Sequence, residues 1–272
     1  MKFSVLMSLY VKENPLYLRE CFESLQQQTL PADEIVLVFD GPVTEELEAV
    51  VQQFEMRLPI KTVKLAQNRG LGKALNEGLL HCSYDWVFRM DTDDICVPTR
   101  FEKQVAYIQQ HPDVIIVGGQ IAEFGQSLDE IVSYRNVPLS KADIVQFTRK
   151  RCPFNHMTVA YQKQAVLACG SYEDLQEDYY LWIKLVASGH NVANLPDILV
   201  YARVGNGMVG RRRGLAQAQA EWRLFKLKYR VKLQGMLSGL FTFLLRALPR
   251  LLPTSLLRII YQFFKKVGQV LC

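Results

Sequence analysis

An α/β fold, with a mostly parallel sheet flanked by helices, is what the first two hundred residues of this chain predict. Short apolar runs alternate with helical patterns over the first 120 residues, the signature of β-α-β units. Polar or glycine-containing segments follow four of the apolar runs, where parallel sheets of this kind place their ligands. Three carboxylates, in Asp91-Thr92-Asp93-Asp94, crowd together directly after the apolar stretch 85–90.

Taken in order, residues 3–9, 34–39, 60–65, 85–90 and 114–117 read as strands. Between them, residues 15–28 carry Leu18, Cys21, Phe22 and Leu25 at helical spacing, and residues 44–54 open on a Thr cap. Residues 70–81 and 98–110 complete the helical set. The segments at the strand ends are Ser8-Leu9-Tyr10, Asp40-Gly41-Pro42, Gln67-Asn68-Arg69-Gly70 and the acidic cluster. Beyond residue 120 the periodicity weakens. Residues 118–137 read as one or two antiparallel strands, 141–148 as a short helix, 158–161 as a strand, 176–188 as a helix, and 198–201 as an apolar run. Domain organisation follows as 1–205 for the α/β body, subdivided at 120, and 206–272 for a basic helical tail.

At 272 residues and 49% hydrophobic content the chain buries one large core and is not a disordered protein. Its six cysteines are scattered, with neither C-x-x-C spacing nor a paired histidine, so free thiols in a reducing compartment are expected. The first apolar run is short, is interrupted by Lys12 and Glu13, and lacks a small-residue cleavage site, so it reads as a buried strand and not a signal peptide. The net charge of +5 is unevenly spread. From Val200 onward lie fourteen of the 32 Lys and Arg but one of the 27 Asp and Glu, giving a tail of +13 on a body of −8. Such a tail points to an anionic partner, while an acidic body argues against a nucleic-acid surface.

Carboxylates as close as those of residues 91–94 repel one another and are costly to keep ionised in a partly dry site unless a cation joins them. Oxygen ligands suit Mg²⁺ or Mn²⁺, which take one or two protein carboxylates and complete their shell with water and phosphate. A solvated acidic turn is the alternative. A second acidic site, Glu177-Asp178, precedes Tyr179-Tyr180-Leu181-Trp182. In a helix Asp178 and Trp182 share a face, so a carboxylate that takes a proton from a hydroxyl would lie beside a flat ring that suits a sugar. Equally, acids favour a helix amino-terminal turn and Trp182 serves as core. Arg203 and Arg211-Arg212-Arg213 offer guanidinium groups to phosphate, or form a solvated basic turn. Asn155-His156 falls in a loop, and no histidine shows zinc-ligand spacing. Gly70-Leu71-Gly72-Lys73-Ala74 satisfies neither phosphate-binding fingerprint, because Leu75 and Ala74 stand where Gly and Ser/Thr are required.

In order and spacing, these pieces together resemble glycosyltransferase family 2, enzymes of the GT-A (Rossmann-like) fold, over residues 1–205. They are the strand 3–10, Val38-Phe39-Asp40-Gly41, Asn68-Arg69-Gly70-Leu71, Arg89-Met90-Asp91-Thr92-Asp93-Asp94, Asn155-His156 and Glu177 to Trp182. The set is similar to bacterial enzymes that build O-antigen, capsule or exopolysaccharide units. The resemblance implies a UDP-sugar donor, with Leu9, Tyr10, Asp40, Asn68, Gly70, Asp91 and Arg203 on the nucleotide sugar and Asp91 and Asp93 on Mn²⁺ or Mg²⁺. It implies Asp178 as general base with Glu177 beside it, and Trp182, Asn155 and His156 toward a lipid-diphosphate-linked or oligosaccharide acceptor. Gly205 stands where family members often carry His, which leaves the diphosphate clamp open. An NDP-sugar nucleotidyltransferase would need a Gly-rich basic loop after the first strand, which residues 8–14 do not supply; a non-catalytic nucleotide or nucleic-acid-binding module is the remaining alternative.

In the tail, Leu215, Ala218, Trp222, Phe225 and Tyr229 recur at helical steps within residues 212–233, and a second apolar stripe runs through 254–272. The uncharged stretch 233–245 is too short to span a bilayer. The tail is therefore expected to bind an anionic membrane surface in plane, placing a cytoplasmic protein on the inner face of the cell membrane; packing onto the body is the alternative.

Overall fold

The computed structural model describes residues 1–173, 177–205 and 214–250, except for the side chains of Glu177, Pro249 and Arg250. The chain divides into two compact units, Met1–Arg203 and Val204–Cys272.

Unit one is built on a nine-stranded mixed sheet. Its strands are β1 (Phe3–Leu9), β2 (Glu34–Phe39), β3 (Ile60–Lys64), β4 (Trp86–Arg89), β5 (Ile95–Cys96), β6 (Val114–Phe124), β7 (Ile131–Arg135), β8 (Ala160–Gln162) and β9 (Asn191–Arg203). The spatial order is β3-β2-β1-β4-β8-β6-β9-β5, with β7 also on β6. Strands β3, β2, β1 and β4 run parallel, with Leu9 opposite Phe39 and Phe39 opposite Lys64. Their carboxyl ends, and the loops that leave them, therefore share one edge of the sheet.

Helices α1 (Pro15–Gln26), α2 (Glu45–Glu55) and α4 (Arg100–Gln110) cover one face of the parallel half. Phe3, Val5, Met7 and Leu9 of β1 point to that face and join a core with Leu18, Phe22, Leu47, Phe54, Phe101 and Ile108. Alternation along the strand sends Leu6 to the other face, against α3 (Leu71–His81). There Gly78 permits close approach, since a Cβ would stand 2.5 Å from both Leu6 and Val38. Caps fix the helix starts: Asn14 accepts from Leu16 N–H at 2.9 Å ahead of Pro15, and Thr44 accepts from Leu47 N–H at 3.4 Å.

Beyond residue 110 the structure departs from the sequence pattern in instructive ways. The strand expected to end at residue 117 continues through Gly118-Gly119 to Phe124. Those glycines make room for β9: a Cβ on Gly118 would lie 2.2 Å from Asn194 Oδ1, and one on Gly119 2.4 Å from Leu199. Strand β9 begins at Asn191 and not at 198, and passes over Pro196 where the β6–β9 register shifts between Gly118 and Gln120. A bulge is where a strand tolerates a residue without an N–H. Strand β6 pairs in parallel with β9 and antiparallel with both β8 and β7. Helix α5 (Lys141–Thr148) is capped by Ser140, a 3-10 turn (His156–Thr158) precedes β8, and α6 (Lys163–Ala168) and α7 (Glu177–Ala187) follow. Strand β5 and helix α6 had no sequence signal. The five described cysteines other than Cys272 are free.

Unit two contains α8 (Leu215–Arg230) and α9 (Met236–Arg250). Trp222 and Phe225 of α8 pack on Phe243 of α9 at 5.1 and 6.3 Å between ring centroids. Gly239 allows the contact, because a Cβ there would meet Phe225 at 2.6 Å. Arg246 makes two hydrogen bonds, of 2.8 and 2.9 Å, to the buried carboxylate of Glu221. The stripe expected over 254–272 and the Arg211–Arg213 run lie outside the described residues. No described helix is long and apolar enough to cross a membrane.

Candidate active site

Two loops at the shared strand edge, those after β2 and β3, are tied together by the Asp40 carboxylate. Asp40, 4% exposed, accepts from Arg69 N–H at 2.6 Å and Gly70 N–H at 3.0 Å, while Asn68 Nδ2 donates to the Asp40 carbonyl at 3.2 Å. The loop after β3 is thereby folded over the end of β2. Gly41 makes this possible: its φ is +87°, and a Cβ would sit 2.6 Å from Asn68 N. Tyr10, at the end of β1, is partly buried, whereas the Leu9 side chain lies wholly in the core. A nucleotide pocket lined by the Leu9 side chain is not what the structure offers; the residue contributes its carbonyl, which accepts from Asp40 N–H at 2.8 Å.

The acidic loop is held from beneath by cations that the sequence reading left unassigned. Arg89, 1% exposed, pairs with Asp91 and donates to the carbonyls of Leu6 (3.3 Å) and Met90. Arg100, fully buried, donates to the Arg89 carbonyl at 2.7 Å. An arginine inside the apolar run Trp86-Val87-Phe88-Arg89 was the available signal, since a buried guanidinium needs an anion. Burial pushes Asp93 up to about 6, with repulsion from Asp91 adding to it. Burial, then Asp91 and Asp93, raise Asp94 well above the usual carboxylate range. Asp94 accepts from Arg203 N–H at 2.8 Å and is 3% exposed, so Asp91 and Asp93 are the carboxylates of this loop that retain some exposure.

These residues fit a divalent cation. Mutual repulsion in a partly dry site is relieved by positive charge, and the donors are hard oxygens. Among the described residues no group of three or more His, Cys, Asp or Glu converges on a point. That is compatible with Mg²⁺ or Mn²⁺, for which one or two carboxylates suffice when water and phosphate complete the shell.

Arg203 occupies a different position from the one expected of a free phosphate ligand. Its guanidinium lies between the rings of Tyr17 (3.9 Å) and Phe124 (4.5 Å), pairs with Glu20, and donates to the Asp93 carbonyl at 3.2 Å and the Gln126 carbonyl at 3.4 Å. It braces the acidic loop. On its α1 side opens a cleft of about 370 Å³, bounded by Glu20, Glu23, Gln27, Gln126 and Leu128, which neither Asp91 nor Asp93 lines.

The second acidic site sits at the start of α7. Asp178, partly buried, accepts from Tyr179 N–H at 2.7 Å and from the Cys152 thiol at 3.8 Å. Trp182 does not lie open beside it. The indole is fully buried, edge-on to Phe154 (5.8 Å) and His156 (6.1 Å) and near Tyr161 and Tyr172. A sugar-stacking role for Trp182 is corrected on that ground: spacing placed it on a face with Asp178 but could not say which side that face presents. Asn155 is also fully buried, donating to the carbonyls of Gly119 (2.8 Å) and Arg135 (3.3 Å). The side chain of Glu177 lies outside the described atoms.

Within this aromatic cluster His156 Nε2 and Trp182 Nε1 are buried without a hydrogen-bond partner, as is the Arg89 Nε. Burial, then the charge of Arg89, lowers His156 to about 4, against the opposing pull of Asp91 and Asp178. His156 thus feels both acidic sites and is neutral at physiological pH. Asp91 and Asp178, far apart in sequence, act on one side chain.

Comparison with known proteins places this geometry. The glycosyl transferase family 2 model matches residues 4–176. An uncharacterised glycosyltransferase of Haemophilus influenzae is 76% identical, over 97% of this chain and 99% of its own. The amylovoran biosynthesis glycosyltransferase AmsE of Erwinia amylovora is 48% identical (97% and 99% covered). The Escherichia coli UDP-Gal:alpha-D-GlcNAc-diphosphoundecaprenol beta-1,3-galactosyltransferase is 37% identical (96% and 95%). In fold, the chain is similar to S. aureus TarS 1-349, crystallised with UDP-GlcNAc (TM-score 0.67, 20% identity, 92% of this chain and 72% of that one). It is also similar to the mannosyltransferase PcManGT of Pyrobaculum calidifontis, crystallised with GDP-Man and Mn²⁺ (0.63, 17%, 97% and 80%). Parallel strands deliver Asp40 and the acidic loop to one edge of a GT-A-like sheet, and the chain is a glycosyltransferase that belongs to glycosyltransferase family 2.

Proposed function

We propose that this glycosyltransferase moves a hexose from a UDP-sugar to a hydroxyl of a lipid-diphosphate-linked saccharide, with inversion at the anomeric carbon, in the assembly of a bacterial surface polysaccharide. The observation that carries the reading is the loop Asp91–Asp94, whose crowded carboxylates stand at the same edge of the sheet as the Asp40 loop. The relatives supply the chemistry: one is named for UDP-Gal transfer to a diphosphoundecaprenol-linked GlcNAc with a beta linkage, another for amylovoran biosynthesis.

In this reading Asp40, Asn68 and Gly70 shape the pocket for the uracil, with Tyr10 at its side. Asp91 and Asp93 hold Mn²⁺ or Mg²⁺, which when bound neutralises charge on the diphosphate leaving group. Arg89 fixes Asp91, and Arg203 fixes the backbone of Asp93, so both carboxylates are oriented before the donor arrives. Asp178 takes the proton from the acceptor hydroxyl as that oxygen bonds to the anomeric carbon and the carbon–phosphate oxygen bond breaks. The bonding electrons leave with the UDP. His156, kept neutral, serves as a hydrogen-bonding group at the wall of the acceptor site and not as an acid.

A lipid-linked acceptor implies work at the cytoplasmic face of a membrane. Asp178→Asn tests the assignment: transfer should fall by about 10²- to 10⁴-fold while UDP-sugar binding persists. Normal turnover in that variant would remove Asp178 from the role.

A further inference from the structure

Helix α9 presents two unlike faces. One packs on α8 through Gly239, Phe243, Ala247 and the Arg246–Glu221 pair. The other carries Met236, Leu237, Leu240, Phe241, Leu244, Leu245 and Leu248, every one exposed, including Leu237 at 85%, Phe241 at 64% and Leu245 at 60%. Their spacing, alternately one and three residues, follows the helical repeat, so seven large apolar side chains form one stripe along the helix. Scattered exposed leucines need no explanation, but a continuous stripe of this size marks a contact surface.

We infer that this stripe of α9 is the element that enters the bilayer interface, lying in plane against anionic lipid. Charge argues for that occupant. Residues 214–250 hold seven Lys and Arg against the single acid Glu221, which is itself buried and paired to Arg246. Arg223, Lys226, Arg230 and Lys232 are exposed, and Lys226 stands 5.4 Å from the centre of the Trp222 ring. Trp222, partly exposed, touches Phe243 of α9, so an amphipathic aromatic and a cation border the helix that carries the stripe. Apolar side chains entering the acyl boundary, with aromatic and basic groups at headgroup level, are how an interfacial helix binds. An anionic leaflet attracts so one-sided a charge while its acyl boundary takes up the apolar stripe. The helix is too short and too interrupted by polar faces to span.

The inference deepens the proposal of a lipid-linked acceptor, yet its evidence is the helix surface alone, and the two fail separately. The full-length protein is floated with vesicles of phosphatidylethanolamine and phosphatidylglycerol, and with phosphatidylcholine vesicles, at low and high salt. The triple substitution Leu237→Gln, Phe241→Gln, Leu245→Gln touches only exposed side chains. It should weaken partitioning onto anionic vesicles by at least about 100-fold, leaving the melting temperature and the transfer of sugar to a detergent-solubilised acceptor unchanged. Wild-type binding should fall with salt and be weaker on phosphatidylcholine. Equal flotation of variant and wild type, or no flotation of the wild type, would overturn the inference. So would a stripe-dependent dimer in vesicle-free buffer, which would assign the face to a second copy. Loss of flotation in the variant with transfer intact supports the inference; a wild type that floats but transfers no sugar counts against the enzyme reading alone.

Discussion

His156 makes the electrostatics of the acceptor side measurable. Its Nε2 has no contact with solvent and no partner, and burial with the nearby Arg89 charge lowers the imidazole from 6.5 to about 4. A histidine depressed in the folded state binds its proton more readily when unfolded. Its contribution to stability is therefore fully present above about 6.5 and is lost as the pH falls toward 4. At pH 5 the unfolded ring is almost wholly protonated and the folded ring is not. One and a half units of differential protonation correspond to roughly 2 kcal/mol. Urea unfolding at pH 7 and pH 5 of the wild type and of His156→Gln isolates this amount. The wild type should lose about 2 kcal/mol more than the variant over that interval. Asp93, pushed up to about 6, works in the opposite sense, but it is present in both proteins and cancels. Parallel losses in the two proteins would refute a neutral His156 with a desolvated Nε2, and with it the hydrogen-bonding role assigned to that side chain.

Two substitutions probe the frame around the site. Gly41→Ala combines a φ of +87° with a Cβ 2.6 Å from Asn68 N, and should cost about 2–4 kcal/mol, or roughly 5–10 °C in melting temperature; an unchanged melting curve would mean that the Asp40 loop is not locked as described. Trp182→Ala should destabilise by about 3–5 kcal/mol, with Trp182→Phe much milder. A Trp182→Phe protein of normal stability whose acceptor KM alone rises would restore the ring to a sugar-binding role.

Much of the parallel half was legible in sequence because its signals are local. Alternating runs, the Thr44 cap and the turn residues Gly41 and Gly70 each act within a few residues, and helices α2, α3 and α5 fall within about a residue or two of expectation. What was missed depends on distant partners. The expected strands were divided at Gly118, yet Gly118-Gly119 continue β6 and are small because Asn194 and Leu199 cross them. Pro196 hid β9, since the bulge that accommodates it exists only against β6. The acidic residues of the candidate site were visible as a cluster and Arg203 as a candidate phosphate ligand, but the way Arg89 and Arg203 brace the loop was not. Arg89 reaches forward two residues under its own strand end, and Arg203 finds Glu20 from the opposite end of the unit. Helical spacing paired Asp178 with Trp182 correctly on one face; only the packing of Phe154, His156 and Tyr172 shows that face to be interior at Trp182.

The central claim is that Asp91 and Asp93 carry the metal that receives the donor's diphosphate. Titration calorimetry of a UDP-sugar with and without Mn²⁺, on the wild type and on Asp93→Asn, tests it most directly. Binding should require the metal and weaken by about 100-fold or more in the variant, the loss of a charged ligand to a divalent ion. Equal affinity of the two proteins in the presence of Mn²⁺, or metal-independent binding by the wild type, would contradict the account.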